Sequence, residues 1–388
     1  MRRDYTYIVV GLGGIGSAAA YSLARRAGPD VLGLEQFTIG HDRGASQDHS
    51  RIIRHSYHTP AYVELSFAAY EAWGELEREL GEPLVVRTGG LDLWPPGAAI
   101  PQDDYTSSLR ACGVTYEELE ASEIMRRWPQ FVLPDDVTGV FQGDGGIVAA
   151  ARCNDAHVRL ARSHGATLLE HRHVTSIRAR GGEVVVSTND GEFACRKLVV
   201  AADAWANEVL APLDARLPLT VTQEQVTYFA PPELERFSPG RFPVWIWMDD
   251  PSFYGFPAYG EAAIKVAQDV GGREVRAHTR TFEVDEATLA RVKRWLERYL
   301  PSGLGPILYT KTCLYTMPPD RDFVVDSVPG YDDVFVVLGA AHGFKFASLL
   351  GRIVADLAVD DHTDADISPF AIDRSILREK HPATSFMV

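Results

Sequence analysis

Cysteine is scarce in this chain, with four among 388 residues, at positions 112, 153, 195 and 313. Their spacing fits neither a metal site nor a disulfide framework, which excludes a small stapled secreted scaffold. Basic residues are also in deficit, 38 Lys and Arg against 53 Asp and Glu, for a net charge of −15. That balance argues against nucleic acid as the main partner, because a polyanion is gathered by a positive surface. A run of roughly 18 apolar residues, the length a membrane span needs, is missing, so no membrane partner is expected. Internal repeats and low-complexity tracts are missing too. Taken with the sparse thiols, these absences point to a reducing, cytoplasmic setting.

What is present is an ordinary globular composition, 46% hydrophobic and 23% charged, over a length that suits two or three domains. The organising stretch is 7–35. Tyr7–Val10 reads as a buried strand, and Gly11, Gly13 and Gly16 then give G-x-G-x-x-G. A small-residue helix from about Gly14 to Arg26 follows, and then a second apolar run, Val31–Leu34, that ends on Glu35. Gly11 permits the tight turn, Gly13 lets the backbone approach a pyrophosphate, and Gly16 lets the helix pack on the strand. The helix N-terminus at Gly14 and Ile15 offers free N–H groups to the phosphates. Glu35 lies 24 residues after Gly11, where a carboxylate accepts hydrogen bonds from a ribose hydroxyl. This is a βαβ unit with a dinucleotide fingerprint. The basic and then apolar opening also looks like a signal peptide, but the glycine spacing and Glu35 favour the cofactor.

Further along, Arg51 and Arg54 are expected on one side of a helix turn, serving an anionic cofactor, a substrate carboxylate or surface ion pairs. His41, His49, His55 and His58 lack companions for a metal set and read as polar loop residues. Residues 62–80 form an amphipathic helix whose stripe includes Val63, Phe67, Tyr70, Trp73, Leu76 and Leu80. Residues 81–140 read as short strands with a helix near 122–128, and 141–147 as a glycine-rich turn. A helix at 154–164, a strand at 166–170 and a meander over 174–200 come next. Residues 212–315 are rich in aromatics and alternating strands, with one clear helix at Glu286–Tyr299. A second strand, glycine turn and helix unit begins at 334–338 and runs through Lys345.

In combination these motifs resemble the monomeric sarcosine oxidase and N-methyltryptophan oxidase family of D-amino-acid-oxidase-like flavoproteins. The matching segments are GLGGIG at 11–16, RIIRH at 51–55, YGFP at 254–257, Lys265, CLYT at 313–316, D-x-x-F-V-V-D at 320–326 and HGFKF at 342–346. The resemblance covers nearly the whole chain. It implies an α/β protein, α+β overall, with a Rossmann-like FAD-binding domain from 1–83, 146–214 and 318–388. A catalytic domain with a large antiparallel sheet would come from 84–145 and 215–317. It implies FAD bound covalently through Cys313, and cofactor contacts from Gly11, Gly13, Gly14, Ile15, Gly16, Glu35, Ser46, Gln47, Arg51, Val174, Gly343, Phe344 and Lys345.

The same resemblance implies that Arg51 lies against the flavin ring and that Arg54 and Lys345 hold the substrate carboxylate. Lys265 would activate O₂, and Tyr254 and Tyr315 would line the substrate pocket. Three positions depart from the pattern. Gln47 and Asp269 stand where histidines are usual, and Asp203 stands for a glycine. Strand alternation would point Asp269 into the cavity with Lys265, as a partner of Lys265 or of the substrate amine. The implied activity is oxidation of a secondary amino acid, sarcosine or another N-methyl amino acid, by a monomeric enzyme. The products would be formaldehyde, the free amino acid and hydrogen peroxide. The alternatives are a cyclic imino acid oxidase, an FAD dehydrogenase with another acceptor, or a non-catalytic nucleotide-binding protein of the same fold.

Overall fold

The computed structural model describes residues 2–383 and 385. Its frame is a six-stranded sheet in the order Val324–Val328, Tyr331–Leu338, Lys197–Val200, Tyr7–Val10, Val31–Leu34, Thr167–Leu169. All neighbours are parallel except Val324–Val328, which runs antiparallel to Tyr331–Leu338. Parallel strands are covered on both faces, so successive side chains enter different cores. Val9, Val31, Val199 and Val337 face the helices Gly14–Ala27, Pro60–Leu80, Ala150–Ser163 and Ala347–Asp360. Ile8, Val10, Leu32, Leu198 and Val336 face the antiparallel meander Val174–Arg180, Glu183–Thr188, Gly191–Cys195.

Two glycines fix the approach of the first helix. A Cβ on Gly16 would stand 1.9 Å from the carbonyl oxygen of Gly11, and one on Gly351 would stand 2.5 Å from the Ala18 methyl. Gly16 therefore lets the helix leave the strand tightly, and Gly351 lets the last helix touch the first.

A nine-stranded sheet makes the second layer system, with Thr220–Phe229 and Ile307–Met317 as its longest pair. It is antiparallel apart from the pairing of Val244–Trp247 with Gly90–Trp94. One face buries an aromatic core against the helix Glu286–Tyr299, where Trp245 and Trp295 stack at 4.3 Å. A small sheet of Arg51–Ile53, Gly146–Val148 and Val85–Arg87 joins segments distant in sequence. No described helix is long and apolar enough to cross a membrane.

Several expectations are corrected. Arg51 opens a strand, not a helix turn: Ile52 and Ile53 are β-branched and pair with Ile147 and Gly146. Residues 141–147 hold two strand ends around a turn at 143–145. Phe67 is 45% exposed, outside the stripe that buries Val63, Trp73 and Leu76. A helix at Gln102–Ala111 forms where the sequence reading placed short strands.

Candidate active site and cofactor cleft

The first strand ends at Gly11, and the chain turns into a helix whose first turn carries no acidic residue. The Gly14 N–H donates to the Ser46 hydroxyl at 2.8 Å, so the 45–50 segment is tied over the helix start. Two cavities meet here and share Gly13, Ala45, Ser46, Ala201 and Asp203 in their walls. One runs past Leu12, Glu35, Arg172 and Val174. The other runs past Arg51 and Cys313 to Tyr254, Tyr315, Gly343, Phe344 and Lys345. Ile15 lines this second cavity, while Gly16 stays buried in the turn.

Glu35 is almost fully buried, and its carboxylate accepts from the Leu12 N–H at 2.9 Å and the Phe37 N–H at 3.0 Å. Burial works against its ionisation, but His41 and those two backbone donors outweigh it and lower the pKa. A fixed carboxylate at the end of the second strand is what a ribose needs. Gln47 donates to the Thr312 carbonyl at 3.3 Å, and its own Oε1 is buried without a partner among the described residues. Asp203 is half-buried and adopts a left-handed φ of +46°; desolvation of its carboxyl pushes its pKa up to about 6.

Arg51 is held by backbone carbonyls, donating to Ala45 and Gln47 at 2.7 Å each and to Ser50 at 2.9 Å. Its guanidinium also faces the Phe344 ring at 5.8 Å. Cys313 lies in Ile307–Met317, across from Glu224, and burial pushes its thiol up to about 11. Lys265 is buried in Ile264–Asp269, as a cation opposite Tyr228 in the neighbouring strand. Its ammonium donates to the Ser50 carbonyl at 2.6 Å and to Asp48 at 3.1 Å, and lies 4.0 Å from the centre of the Phe256 ring. Asp48 was not found by sequence reasoning. Burial opposes its ionisation, yet Lys265, Arg51 and the Tyr228 hydroxyl hold the carboxyl well below its usual range.

At the far end of the cavity Arg54 pairs with Asp92 at 3.0 Å, and both are buried. Asp269 belongs to the Lys265 strand as alternation required, but its partner is Arg321 at 3.4 Å, not Lys265. Lys345 stands in the turn Gly343–Phe346 that enters the last helix. The Trp73 indole fixes that turn by donating to the Lys345 carbonyl at 2.7 Å. Among the described residues no acceptor lies within hydrogen-bond reach of the Lys345 ammonium, which faces the Tyr57 ring at 5.6 Å. Burial first, then Arg54, push its pKa down to about 7. Burial also raises the phenols of Tyr254 and Tyr315, keeping both neutral donors.

The donor set fits an FAD. An acid-free helix start and a glycine turn lie between a ribose-type carboxylate and a wide end lined by a fixed arginine. Residues 6–357 match the profile of a family described as FAD dependent oxidoreductase. The chain belongs to this family. It is 31% identical over 385 residues to the monomeric sarcosine oxidase of Bacillus sp. (strain NS-129), covering 98% of this chain and 99% of that enzyme. It is 33% identical over 380 residues to the N-methyl-L-tryptophan oxidase of Shigella flexneri serotype 5b (strain 8401), covering 95% and 99%. Among solved structures, NikD, an unusual amino acid oxidase essential for nikkomycin biosynthesis, superposes with a TM-score of 0.86 at 29% identity, covering 98% and 100%. This protein is thus an FAD-dependent amino acid oxidase of the sarcosine and N-methyltryptophan oxidase type. The family expectation from sequence stands, and the non-catalytic alternative falls.

The expected residues divide by location. Arg51, Arg54, Tyr254, Asp269, Cys313, Tyr315 and Lys345 share one cavity. Lys265 sits behind it, against Phe256 and Asp48. Asp92 and Arg321 were missed; Arg321 fills an open position of the 320–326 motif, and its burial is visible only in the fold.

Proposed function

We propose that this enzyme oxidises a secondary amino acid, sarcosine or another N-methyl amino acid first, with O₂ as electron acceptor. The observation that carries the reading is Lys345. It is a half-buried ammonium with no acid in ion-pair reach among the described residues, in a cavity where Arg54 and Arg321 already have acidic partners. A substrate carboxylate is the missing partner, and Arg54 adds a planar donor edge beside it. Tyr254 and Tyr315 would give the substrate an aromatic wall with neutral hydroxyls, and Asp269 is an acid in the wall of the same cavity.

Bound FAD would supply the redox chemistry, a two-electron oxidation of the amine C–H bond with O₂ reduced to H₂O₂, and hydrolysis of the resulting imine would release formaldehyde and the amino acid. The chain's work is positioning and charge. Arg51, fixed by three carbonyls, offers permanent positive charge to the ring site. Cys313 is the proposed attachment point for a covalent flavin. The enzyme is proposed to act as a monomer, as the name of its sarcosine oxidase relative says of that protein.

The test is anaerobic titration of the holoenzyme with a panel of N-methylated and cyclic amino acids, read by flavin bleaching. Bleaching by none of them overturns the reading. A second reading, an acceptor other than O₂, is favoured by one observation, the Asp48 carboxylate that offsets Lys265. An oxygen-electrode trace set against a quinone dye separates the two.

A further inference from the structure

Among the described residues, Asp48 is the one acid paired with the cations Lys265 and Arg51 beside the flavin end of the cavity. Its Oδ2 lies 3.1 Å from the Lys265 ammonium and 3.7 Å from the Arg51 guanidinium, and its Oδ1 accepts the Tyr228 hydroxyl at 2.5 Å. It adopts a φ of +102°, a backbone conformation that favours glycine, so the carboxylate is held there against local preference. All three directions of the Lys265 ammonium are engaged, by Asp48, by the Ser50 carbonyl and by the face of Phe256. Arg51 makes its three hydrogen bonds to neutral carbonyls and lines the cavity.

We propose that Asp48 is a positioning residue that offsets one of the two cations it touches, Lys265 and Arg51, so that the cluster keeps a single net positive charge, presented to the cavity by Arg51. This rests on the reading that the ring of FAD occupies the cavity between Arg51 and Cys313. The buried pair then acts on the flavin as a neutral dipole, and removing both charges changes the field far less than removing either one.

The protonation of Lys265 follows the same geometry. Facing it are Asp48 and Arg51 from the preceding segment, Tyr228 through Asp48, and Cys313 from Ile307–Met317; Tyr309 and Glu261 stand behind Tyr228. Burial pulls its pKa down to about 8 against the pull of Asp48 upward. Without Asp48 the midpoint moves lower still. The ammonium is charged below its midpoint, so an Asp48→Asn site carries an extra positive charge in acid and loses it as pH rises.

Sulfite is the probe, because it adds negative charge to oxidised flavin and needs neither substrate nor O₂. It is titrated into the oxidised holoproteins, read by loss of flavin absorbance. Lys265→Met is expected to weaken sulfite binding about tenfold or more, since Asp48 then offsets Arg51 and the cluster loses its net positive charge. The double variant Asp48→Asn with Lys265→Met is expected within about threefold of the parent, as a cancelled pair requires. Asp48→Asn alone is expected to bind more tightly than the parent at pH 6 and to lose that advantage as pH rises. Asp48→Gly, which suits the left-handed backbone, is expected to behave as Asp48→Asn does and guards against misfolding. A double variant as weak as Lys265→Met overturns the proposal, as does a Lys265→Met protein with parental affinity. A reduced flavin inert to O₂ would sink only the acceptor assigned above, because sulfite binding does not involve it.

Discussion

The indole nitrogen of Trp73 and the backbone carbonyl of Lys345 are joined by a 2.7 Å hydrogen bond. It ties the middle of the Pro60–Leu80 helix to the turn that carries the cavity-lining Lys345. Trp73→Phe keeps an aromatic body and deletes the donor. The orphaned carbonyl is expected to lower stability by about 1–3 kcal/mol, measured by denaturant unfolding of the holoprotein. Substrate KM should rise more than the limiting rate of flavin reduction falls, because the bond places Lys345 and does not touch the reacting atoms. Loss of rate at unchanged KM would assign Trp73 another role.

Cys313 lines the cavity from the longest strand of the large sheet. Acid-precipitated protein should stay yellow, and Cys313→Ser should release its flavin to the supernatant. Free FAD from the unmodified protein would show that no thioether forms.

Lys345 titrates near neutrality, with burial and Arg54 both lowering it to about 7. A lysine is charged below its pKa, so the site attracts a carboxylate fully in mild acid and loses that attraction as pH rises through 7. An amine-free carboxylate such as acetate should therefore weaken by up to about tenfold per pH unit above the midpoint, from one linked proton. The flavin spectrum reports the titration. Lys345→Gln should bind acetate weakly at every pH, and a slope that survives in that variant would assign the proton elsewhere.

Asp269 projects from the last position of its strand and pairs with Arg321 at 3.4 Å. A carboxylate near the substrate amine favours the protonated, unreactive form. Asp269→Asn should then lower the apparent pKa that governs anaerobic flavin reduction and reorder preference among N-methyl amino acids. An unchanged pH profile with an unchanged ranking would leave Asp269 only as the counter-ion of Arg321.

The parts legible in the sequence are those set by local rules. Glycine spacing gave the first turn, strand period placed Asp269 on the Lys265 strand, and residue pattern marked the second strand and helix unit at Lys345. The charge balance of the site was not legible, because each acid meets its base across a long separation. Asp48 and Lys265 lie 217 residues apart, Asp269 and Arg321 52, and Arg54 and Asp92 38. No periodicity reports such a meeting. Arg51 was misplaced for a related reason: a three-residue strand is stabilised by Gly146–Val148, which arrives from elsewhere in the chain.

The order of the six-stranded sheet has a consequence for synthesis. Tyr7–Val10 is at its centre, but one neighbour is Lys197–Val200, and the strand beyond that is Tyr331–Leu338. The helix that covers Gly14–Ala27 comes later still, at Ala347–Asp360, meeting it where Gly351 touches Ala18. At roughly 5–20 residues per second, the nascent first strand and its glycine turn wait tens of seconds for those partners. During that interval Ile8, Val9 and Val10 are an uncovered apolar edge on the ribosome. The glycine turn is therefore translated well before the strands and the helix that enclose it.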